Sequence, residues 1–158
     1  IRSIETTAVV LFVVAAASIF AWILTSNNVA VGLANYVLSI TDSKTLLTLI
    51  ILALLLIVGC FMETIAAMII LVPVLLPIAL QFGFDPTHFG VIMVLTLMIS
   101  LLTPPVGVVL YVLSSISGLT FERCVSATMP FLLPLVAVLL LVAFVPQVSM
   151  WLPNLVFP

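Results

Sequence analysis

Two short segments carry polar and helix-breaking residues in a chain that is otherwise almost continuously apolar. The first is GCFMET, residues 59–64, which places a carboxylate and a hydroxyl between long hydrophobic stretches. A carboxylate at membrane depth is costly and marks a functional site by default. One interpretation is an ion or substrate site that includes Gly59 and Glu63. The other is a helix end that Glu63 caps, where its charge suits the helix dipole, and Thr64 is open to the same two interpretations.

The second segment is TPPVG, residues 103–107. Proline removes a backbone donor and clashes with the preceding helical turn, and it also pushes the residue before it away from helical angles. We therefore predict that a helix stops near Thr103 and restarts after Gly107. A simple kink is one interpretation, because prolines are common in membrane helices. The other is a discontinuous helix whose freed carbonyls coordinate a cation, as in many secondary transporters. Two interrupted elements in one chain favour the cation site.

The composition places both segments in a membrane protein. Of the 158 residues, 66% are hydrophobic and 5% are charged, whereas a soluble domain carries roughly 25% charged residues. Such a chain cannot cover a soluble surface, and its long apolar runs lack the alternation of a transmembrane β-barrel. The sequence therefore predicts an all-α membrane protein in a lipid bilayer. It shows no basic patch for nucleic acid, and Cys60 and Cys124 indicate neither a disulfide framework nor a metal site.

Catalysis is not expected from the remaining polar residues. Intramembrane proteolysis needs two acids, or a serine and a histidine, within the helical bundle. Asp42 and Asp85 lie in predicted loops, and His88 is predicted to lie in a turn at the membrane surface, where capping and hydrogen bonding account for it. No H-E-x-x-H motif and no phosphate-binding glycine loop is present. We expect neither an enzyme nor ATP hydrolysis, so any pumping must be driven by a gradient.

The elements that position the two segments follow from the lengths of the apolar runs. One span needs roughly 20 residues, and two spans with a turn need more than about 40. Residues 43–81 fall slightly short of two spans and are interrupted at 59–64, which favours a re-entrant hairpin with that segment at its tip. The predicted elements are a span over 4–24, an interfacial helix over 29–40, the re-entrant hairpin over 43–81, a broken span over 87–116 and a final span over 128–145.

The topology follows from this order of elements. A hairpin returns to its own face, so Lys44 and Gln81 are predicted to share one side of the membrane. The positive-inside rule favours Arg2 and Arg123 in the cytoplasm. Trp151, an expected interfacial residue, and the C-terminus are then predicted to be periplasmic.

The residues of both segments resemble a known family. The sequence from Gly59 to Val112 is similar to the C-terminal part of the large membrane subunit of TRAP transporters, the tripartite ATP-independent periplasmic transporters of bacteria and archaea, and the likeness covers nearly the whole chain. The family pattern leads us to expect asparagine and glycine before the break, where this chain has Thr96 and Ser100 as candidate site residues. The most specific matches are Gly59-x-Phe61-x-Glu63, Pro73 with Pro77, Asp85-Pro86-x-His88-Phe89-Gly90, and Thr103-Pro104-Pro105-Val106-Gly107.

The resemblance implies an elevator-type fold of two inverted repeats, each with a re-entrant hairpin and a broken helix, of which this chain holds the second. It implies sodium-driven uptake of a small organic acid, such as sialic acid, a dicarboxylate or a keto acid, across the bacterial or archaeal cytoplasmic membrane. The coupling ion is the only cofactor implied. The partners implied are a periplasmic substrate-binding protein, a small four-helix membrane subunit and the first repeat of the large subunit.

The resemblance also implies one sodium site between the hairpin tip and the break. Sodium is a hard cation, so oxygen ligands suit it, by the logic that governs other hard ions. We predict that the Thr103 hydroxyl is the best side-chain ligand and that Glu63 orients the tip through freed N–H groups. The backbone ligands are predicted to be carbonyls of Gly59, Thr103, Pro104, Pro105 and Gly107.

Two alternatives to this function remain open. One is an ion-coupled carrier that works without a binding protein. The other is a membrane subunit that scaffolds other proteins and transports nothing. A scaffold would not need a polar hairpin tip opposite a broken helix, which favours transport.

Overall fold

In the described part of the chain, all regular secondary structure is helical. A computed structural model describes residues 43–105 and 107–156, together with the isolated positions 15, 19, 22, 23, 26, 27 and 32. The predicted span over 4–24 and interfacial helix over 29–40 therefore fall largely outside the described residues. The helices are α1 (Lys44–Phe61), α2 (Thr64–Gln81), α3 (Pro86–Ser100), α4 (Val108–Ser117), α5 (Phe121–Phe144) and α6 (Pro146–Val156).

Three of these helices, α1, α2 and α5, are long and apolar enough to cross a membrane. They satisfy the requirement of roughly 17 to 25 apolar residues for a helical span. The prediction of an all-helical membrane protein is therefore confirmed for the described residues.

Local capping sets the ends of the hairpin formed by α1 and α2. The Ser43 side chain accepts a hydrogen bond from Leu46 N at 3.4 Å, and the Glu63 carboxylate accepts one from Ala66 N at 3.1 Å. Only Met62 and Glu63, both with extended backbone, separate the two helices. The predicted interruption over 59–64 was therefore too long, because the helical conformation of α1 continues through Gly59 to Phe61.

This shorter interruption removes the length argument for a re-entrant hairpin. Each arm has 18 residues and is about 27 Å long. The two feet of the hairpin lie together, since Lys44 Nζ donates to Gly83 O at 2.9 Å and sits 4.3 Å from the centre of the Phe84 ring. Pro73 and Pro77 lie inside α2, which continues past both.

Helix α3 forms the centre of the described core. It packs against both arms of the hairpin and against α5 and α6, whereas the two arms contact each other little. Its buried face carries Ile92, Met93 and Leu97, which belong to the same hydrophobic core cluster as Leu47 and Leu55 of α1. Burial of each such side chain contributes roughly 1.5 to 3 kcal/mol. The hairpin is therefore held in place mainly through α3.

The chain breaks after α3 and resumes as α4. Asp85 caps α3, with Pro86 in its first turn, and the helix ends at Ser100. Gly107, whose φ of 53° is left-handed, precedes α4, and Gly118 ends α4. The interruption that TPPVG predicts thus lies between Ser100 and Val108.

The final long helix begins earlier than predicted. Helix α5 starts at Phe121 rather than at 128, because Thr120 has the extended backbone of an N-cap and Glu122 lies in the first turn, where the dipole favours a negative charge. The predicted start at 128 was therefore too late. After Val145, Pro146 begins the separate helix α6, which carries an exposed Trp151.

Candidate ion and substrate site

The end of α1 lies directly against the break that follows α3. Gly59 packs so closely on Ser100 that a Cβ atom at Gly59 would overlap Ser100 Oγ and would lie 2.8 Å from Ser100 Cβ. One residue further, Cys60 Sγ approaches Pro104 O at 3.7 Å. The structure therefore brings together the two segments that the sequence singles out.

The break exposes backbone oxygens beside Gly107. A tight turn completes α3, with Thr103 N donating to Ser100 O at 3.0 Å. The carbonyl oxygens of Thr103 and Leu101 then converge, because a Cβ atom on Gly107 would lie 3.2 Å from the first and 3.3 Å from the second. Among the described residues, no N–H or hydroxyl group donates to either oxygen. These two carbonyls are therefore candidate oxygen ligands at the break.

Leu101 was not among the candidates predicted from the sequence, although a signal for it exists. In a continuous helix the N–H of residue 105 would donate to the carbonyl of residue 101. Pro105 has no N–H, so the Leu101 carbonyl loses this partner. Cys60 was also missed as a contact of the break, and its neighbour Pro104 lies 44 positions away. No local pattern could have paired them.

Three hydroxyl groups near the break donate to carbonyls of their own helical turns, which is how such side chains are satisfied in apolar helices. Thr96 and Ser100 are fully buried within the described chain, while Thr103 is only half-buried. A bound cation would still find free lone pairs on the Thr103 hydroxyl oxygen. The bonds are Thr96 Oγ1 to Ile92 O at 2.7 Å, Ser100 Oγ to Leu97 O at 2.6 Å and Thr103 Oγ1 to Ile99 O at 3.0 Å.

Glu63 occupies the tip as a helix cap. Its carboxylate accepts the Ala66 N–H, which is one of the free donors at the start of α2. The side chain is exposed in the described chain. Thr64, by contrast, is buried, and its hydroxyl points to Met98 Sδ at 4.0 Å. Of the two interpretations of Glu63, the structure contains the cap.

His88 is buried, not in a surface turn as predicted. It lies in the first turn of α3, where Asp85 accepts hydrogen bonds from the backbone N–H groups of Thr87 and His88 at 2.8 and 3.2 Å. His88 Nδ1 is 2.6 Å from Ser149 Oγ on α6, and Ser149 in turn donates to Pro146 O at 3.0 Å. This cluster lies about three turns of α3 away from the break and joins α3 to α6.

The chemistry available at the break is that of oxygen donors. Within residues 43–105 and 107–156, no three His, Cys, Asp or Glu side chains come together in a way that could hold a metal ion. Carbonyl and hydroxyl oxygens are suitable ligands for hard cations and poor ligands for softer transition metals. Leu110 N–H in the first turn of α4 donates to Gly107 O at 2.7 Å. Among the described residues no side chain caps this turn, so the N–H groups of Val108 and Val109 are left as free donors.

This combination defines a class of protein: a helical membrane protein whose interrupted elements meet inside the bundle. Comparison with known proteins then gives the family. The family model for the DctM component of the tripartite ATP-independent periplasmic transporter matches residues 1–148. The chain therefore belongs to this family.

Named relatives agree with the family match. The chain is 43% identical over 154 residues to the sialic acid TRAP transporter large permease protein SiaM of Vibrio cholerae, covering 98% of this chain and 36% of that protein. It is 38% identical over 154 residues to the C4-dicarboxylate large permease protein DctM of Pseudomonas aeruginosa, with the same coverage. It is 36% identical over 147 residues to the 2,3-diketo-L-gulonate large permease protein YiaN of Escherichia coli, covering 93% of this chain and 35% of that protein.

The match extends over only part of each relative. The chain spans about a third of the length of the curated relatives that it matches. It is therefore similar to one portion of a TRAP large permease, and that portion contains both the hairpin and the break.

Proposed function

We propose that this chain forms the second repeat of a TRAP large permease that couples sodium entry to uptake of a small organic acid. The observation that carries the proposal is the contact between the hairpin tip and the break after α3, seen in the pairs Gly59 with Ser100 and Cys60 with Pro104. Such paired interruptions form the ion and substrate sites of many secondary transporters.

The relative lengths of the helices support a re-entrant hairpin. Helix α5 has 24 residues, about 36 Å, and packs along both α3 and α4. The hairpin tip meets Ser100 at the end of α3, which is 15 residues or about 22 Å long. Because α5 packs against both α3 and α4, the tip at the end of α3 would stop partway along α5, with α4 beside the rest of its length. In a membrane crossed by α5, the tip would lie at mid-depth.

The cation would be held at the break by oxygen atoms. The carbonyls of Thr103 and Leu101 converge there, and the Thr103 hydroxyl oxygen adds one side-chain ligand. The carbonyl of Gly59, in the last turn of α1, faces no continuing helix that could satisfy it. Pro104, Pro105 and Gly107 supply the remaining candidate carbonyls. All of these ligands are uncharged, so they add no second charged group to the Glu63 carboxylate at membrane depth.

The substrate anion would be attracted to the start of α4. The free N–H groups and the positive end of the helix dipole favour a carboxylate there. Glu63, Thr64, Thr96 and Ser100 remain candidates for shaping this region. The names of the three relatives, sialic acid, C4-dicarboxylate and diketogulonate permeases, support an organic acid as the substrate class.

The family supports the same partners as the sequence does. We infer a periplasmic binding protein that delivers the acid, a small membrane subunit that braces the large one, and a first repeat that supplies the other half of the fold. The site would lie in the cytoplasmic membrane, with the C-terminus in the periplasm and sodium as the only cofactor.

The test is uptake by the full-length large subunit, purified with its small subunit and reconstituted in liposomes. A sodium gradient should drive accumulation of a labelled acid only when the matching binding protein is added, and a potassium gradient should not. Uptake without a binding protein would favour the autonomous carrier. The absence of uptake under every gradient, for every acid and binding protein encoded alongside the subunit, would favour the scaffold.

A further inference from the structure

A very close contact between the hairpin and α3 involves a residue without a side chain. A Cβ atom at Gly59 would overlap Ser100 Oγ and would lie 3.1 Å from Leu97 Cδ2. Ser100 is fully buried and its hydroxyl donates to Leu97 O at 2.6 Å. Rotating the Ser100 side chain away would break a buried hydrogen bond, which is costly. The space between α1 and α3 is therefore already filled, and no side chain fits at position 59.

The backbone conformation does not explain the glycine. Gly59 lies within α1 and is not among the glycines with positive φ. Glycine is a poor helix former compared with alanine, so local propensity opposes it at this position. Gly90 makes the comparison clear, because it also lies within a helix, yet a Cβ atom added there would have no neighbour within 4 Å. Close helix packing is what distinguishes Gly59.

We propose that Gly59 and Ser100 are a steric positioning pair that sets the distance between the hairpin tip and the break. The inference rests on the proposed function, because the cation is held between these two elements. Since Cys60 directly follows Gly59 and contacts Pro104, a shift of α1 at position 59 displaces the tip from the break. Displacements of about 1 Å are enough to impair a binding site.

Steric coupling of Gly59 and Ser100 predicts a result that a ligand role for the Gly59 carbonyl does not predict. Gly59→Ala keeps the backbone carbonyl, so a site that needed only this oxygen would tolerate the change. If space is decisive, removing the side chain at Ser100 restores the room that the new methyl group needs. The double variant Gly59→Ala with Ser100→Gly should therefore behave better than Gly59→Ala alone.

The experiment uses the full-length large subunit with its small subunit and binding protein. Four variants are compared with the parent: Gly59→Ala, Ser100→Gly, the double variant, and Gly90→Ala as the matched control. Two quantities are measured: the midpoint of thermal unfolding in detergent without sodium, and the sodium concentration that gives half-maximal uptake in liposomes. The first quantity reports packing and does not depend on transport.

Gly59→Ala should lower the unfolding midpoint and raise the half-maximal sodium concentration by about tenfold, because overpacking of this size is strongly destabilising. The double variant should recover both quantities to within about threefold of Ser100→Gly alone. Gly90→Ala should leave both unchanged or slightly improved. If Gly59→Ala prevents folding, recovery of folded protein in the double variant supports the pair.

Two results would overturn the inference: a Gly59→Ala variant equal to the parent, or a double variant no better than Gly59→Ala. A parent without sodium-dependent uptake would refute the proposed function alone. The unfolding midpoints would then still decide whether positions 59 and 100 are sterically coupled.

Discussion

At the scale of single residues, Thr103 differs from the other hydroxyl residues around the break. Thr96 and Ser100 are fully buried, whereas Thr103 is half-buried at the point where the helix stops. Its hydroxyl proton is used in the bond to Ile99 O, which leaves its oxygen lone pairs for another partner. The sequence could identify Thr103 because proline follows it directly. It could not identify the burial of Thr96 and Ser100, which depends on how α1 packs against α3.

We predict that Thr103→Val raises the half-maximal sodium concentration for uptake about five- to tenfold, because one oxygen ligand is lost while the side-chain shape is kept. Thr128→Val is the matched control, since Thr128 makes the same kind of bond within its own helix, to Cys124 O at 2.8 Å, in α5. The measurement is sodium activation of uptake in liposomes. An unchanged curve for Thr103→Val would mean that the hydroxyl is not a ligand.

Gly107→Ala should impair both folding and transport. Its φ of 53° costs a side chain roughly 1 to 2 kcal/mol, and its Cβ would crowd Leu110 Cδ1 at 2.8 Å as well as two carbonyls of the break. Gly118→Ala is the control, because Gly118 has a φ of 68° and open space around it. Both variants should unfold at a lower temperature, but only Gly107→Ala should weaken sodium activation. Equal transport by the two variants would remove Gly107 from the site.

Glu63 is expected to act through its cap and not through direct ligation. Glu63→Ala should lose about 1 kcal/mol of capping free energy and reduce uptake, whereas Glu63→Gln keeps an acceptor oxygen for Ala66 N and should retain most of it. Thermal unfolding and uptake are measured for both variants. If Glu63→Gln were as inactive as Glu63→Ala while its unfolding midpoint stayed near that of the parent, the charge itself would be needed at the site.

At the scale of helices, the strongest local signals gave the most accurate predictions. Two consecutive prolines and a glycine define the break, because no helix can hydrogen-bond through them. Asp85 followed by Pro86 likewise marks the start of α3. The prediction was less accurate where polar residues were placed outside the helices. Residues 59–61 and 121–127 are helical in the structure, because packing in the first case and a helix-favouring first turn in the second outweigh composition.

The specific side-chain contacts between helices were beyond the reach of the sequence. Nothing local indicates that Lys44 would bond to Gly83, or that His88 would meet Ser149, 61 positions away. These contacts require the side-chain geometry of helices brought together by the apolar core. They place the hairpin feet, the start of α3 and helix α6 at one end of the described structure.

This arrangement predicts the sidedness of the hairpin. With Cys60 and Cys124 replaced, single cysteines at Lys44 and at Gln81 should react with a membrane-impermeant thiol reagent from the same side of sealed cells. A single cysteine at Arg123, at the opposite end of α5, should react only after the membrane is opened or from inverted vesicles. Labelling of Lys44→Cys and Gln81→Cys from opposite sides would exclude the hairpin and, with it, the proposed transport site.

At the scale of the whole molecule, much of the apolar surface of the described helices is not covered by other described residues. Only 17% of the most apolar stretch of α5 is buried within the described structure, compared with 39% of the corresponding stretch of α1. Lipid or other parts of a large permease would cover such a surface, and the chain spans about a third of the length of its curated relatives. The proposed first repeat is one such part, which would pack beside the second.

The orientation of the whole molecule can be tested at the C-terminus. Helix α5 is long enough to cross a membrane, with Glu122 and Arg123 at its start and α6 beyond its end. The positive-inside rule favours Arg123 in the cytoplasm, so α6 and residues 157–158 should be periplasmic. In the full-length subunit, an alkaline phosphatase fused after Pro158 should be active, whereas a green fluorescent protein at the same place should remain dark after export.

Arg123→Glu provides a second test of the orientation, because reversing this charge should lower the phosphatase signal if the arginine helps to set the orientation. Strong fluorescence together with an inactive phosphatase would reverse the topology, placing Lys44 and the hairpin feet in the cytoplasm while leaving the contact between the tip and the break unchanged.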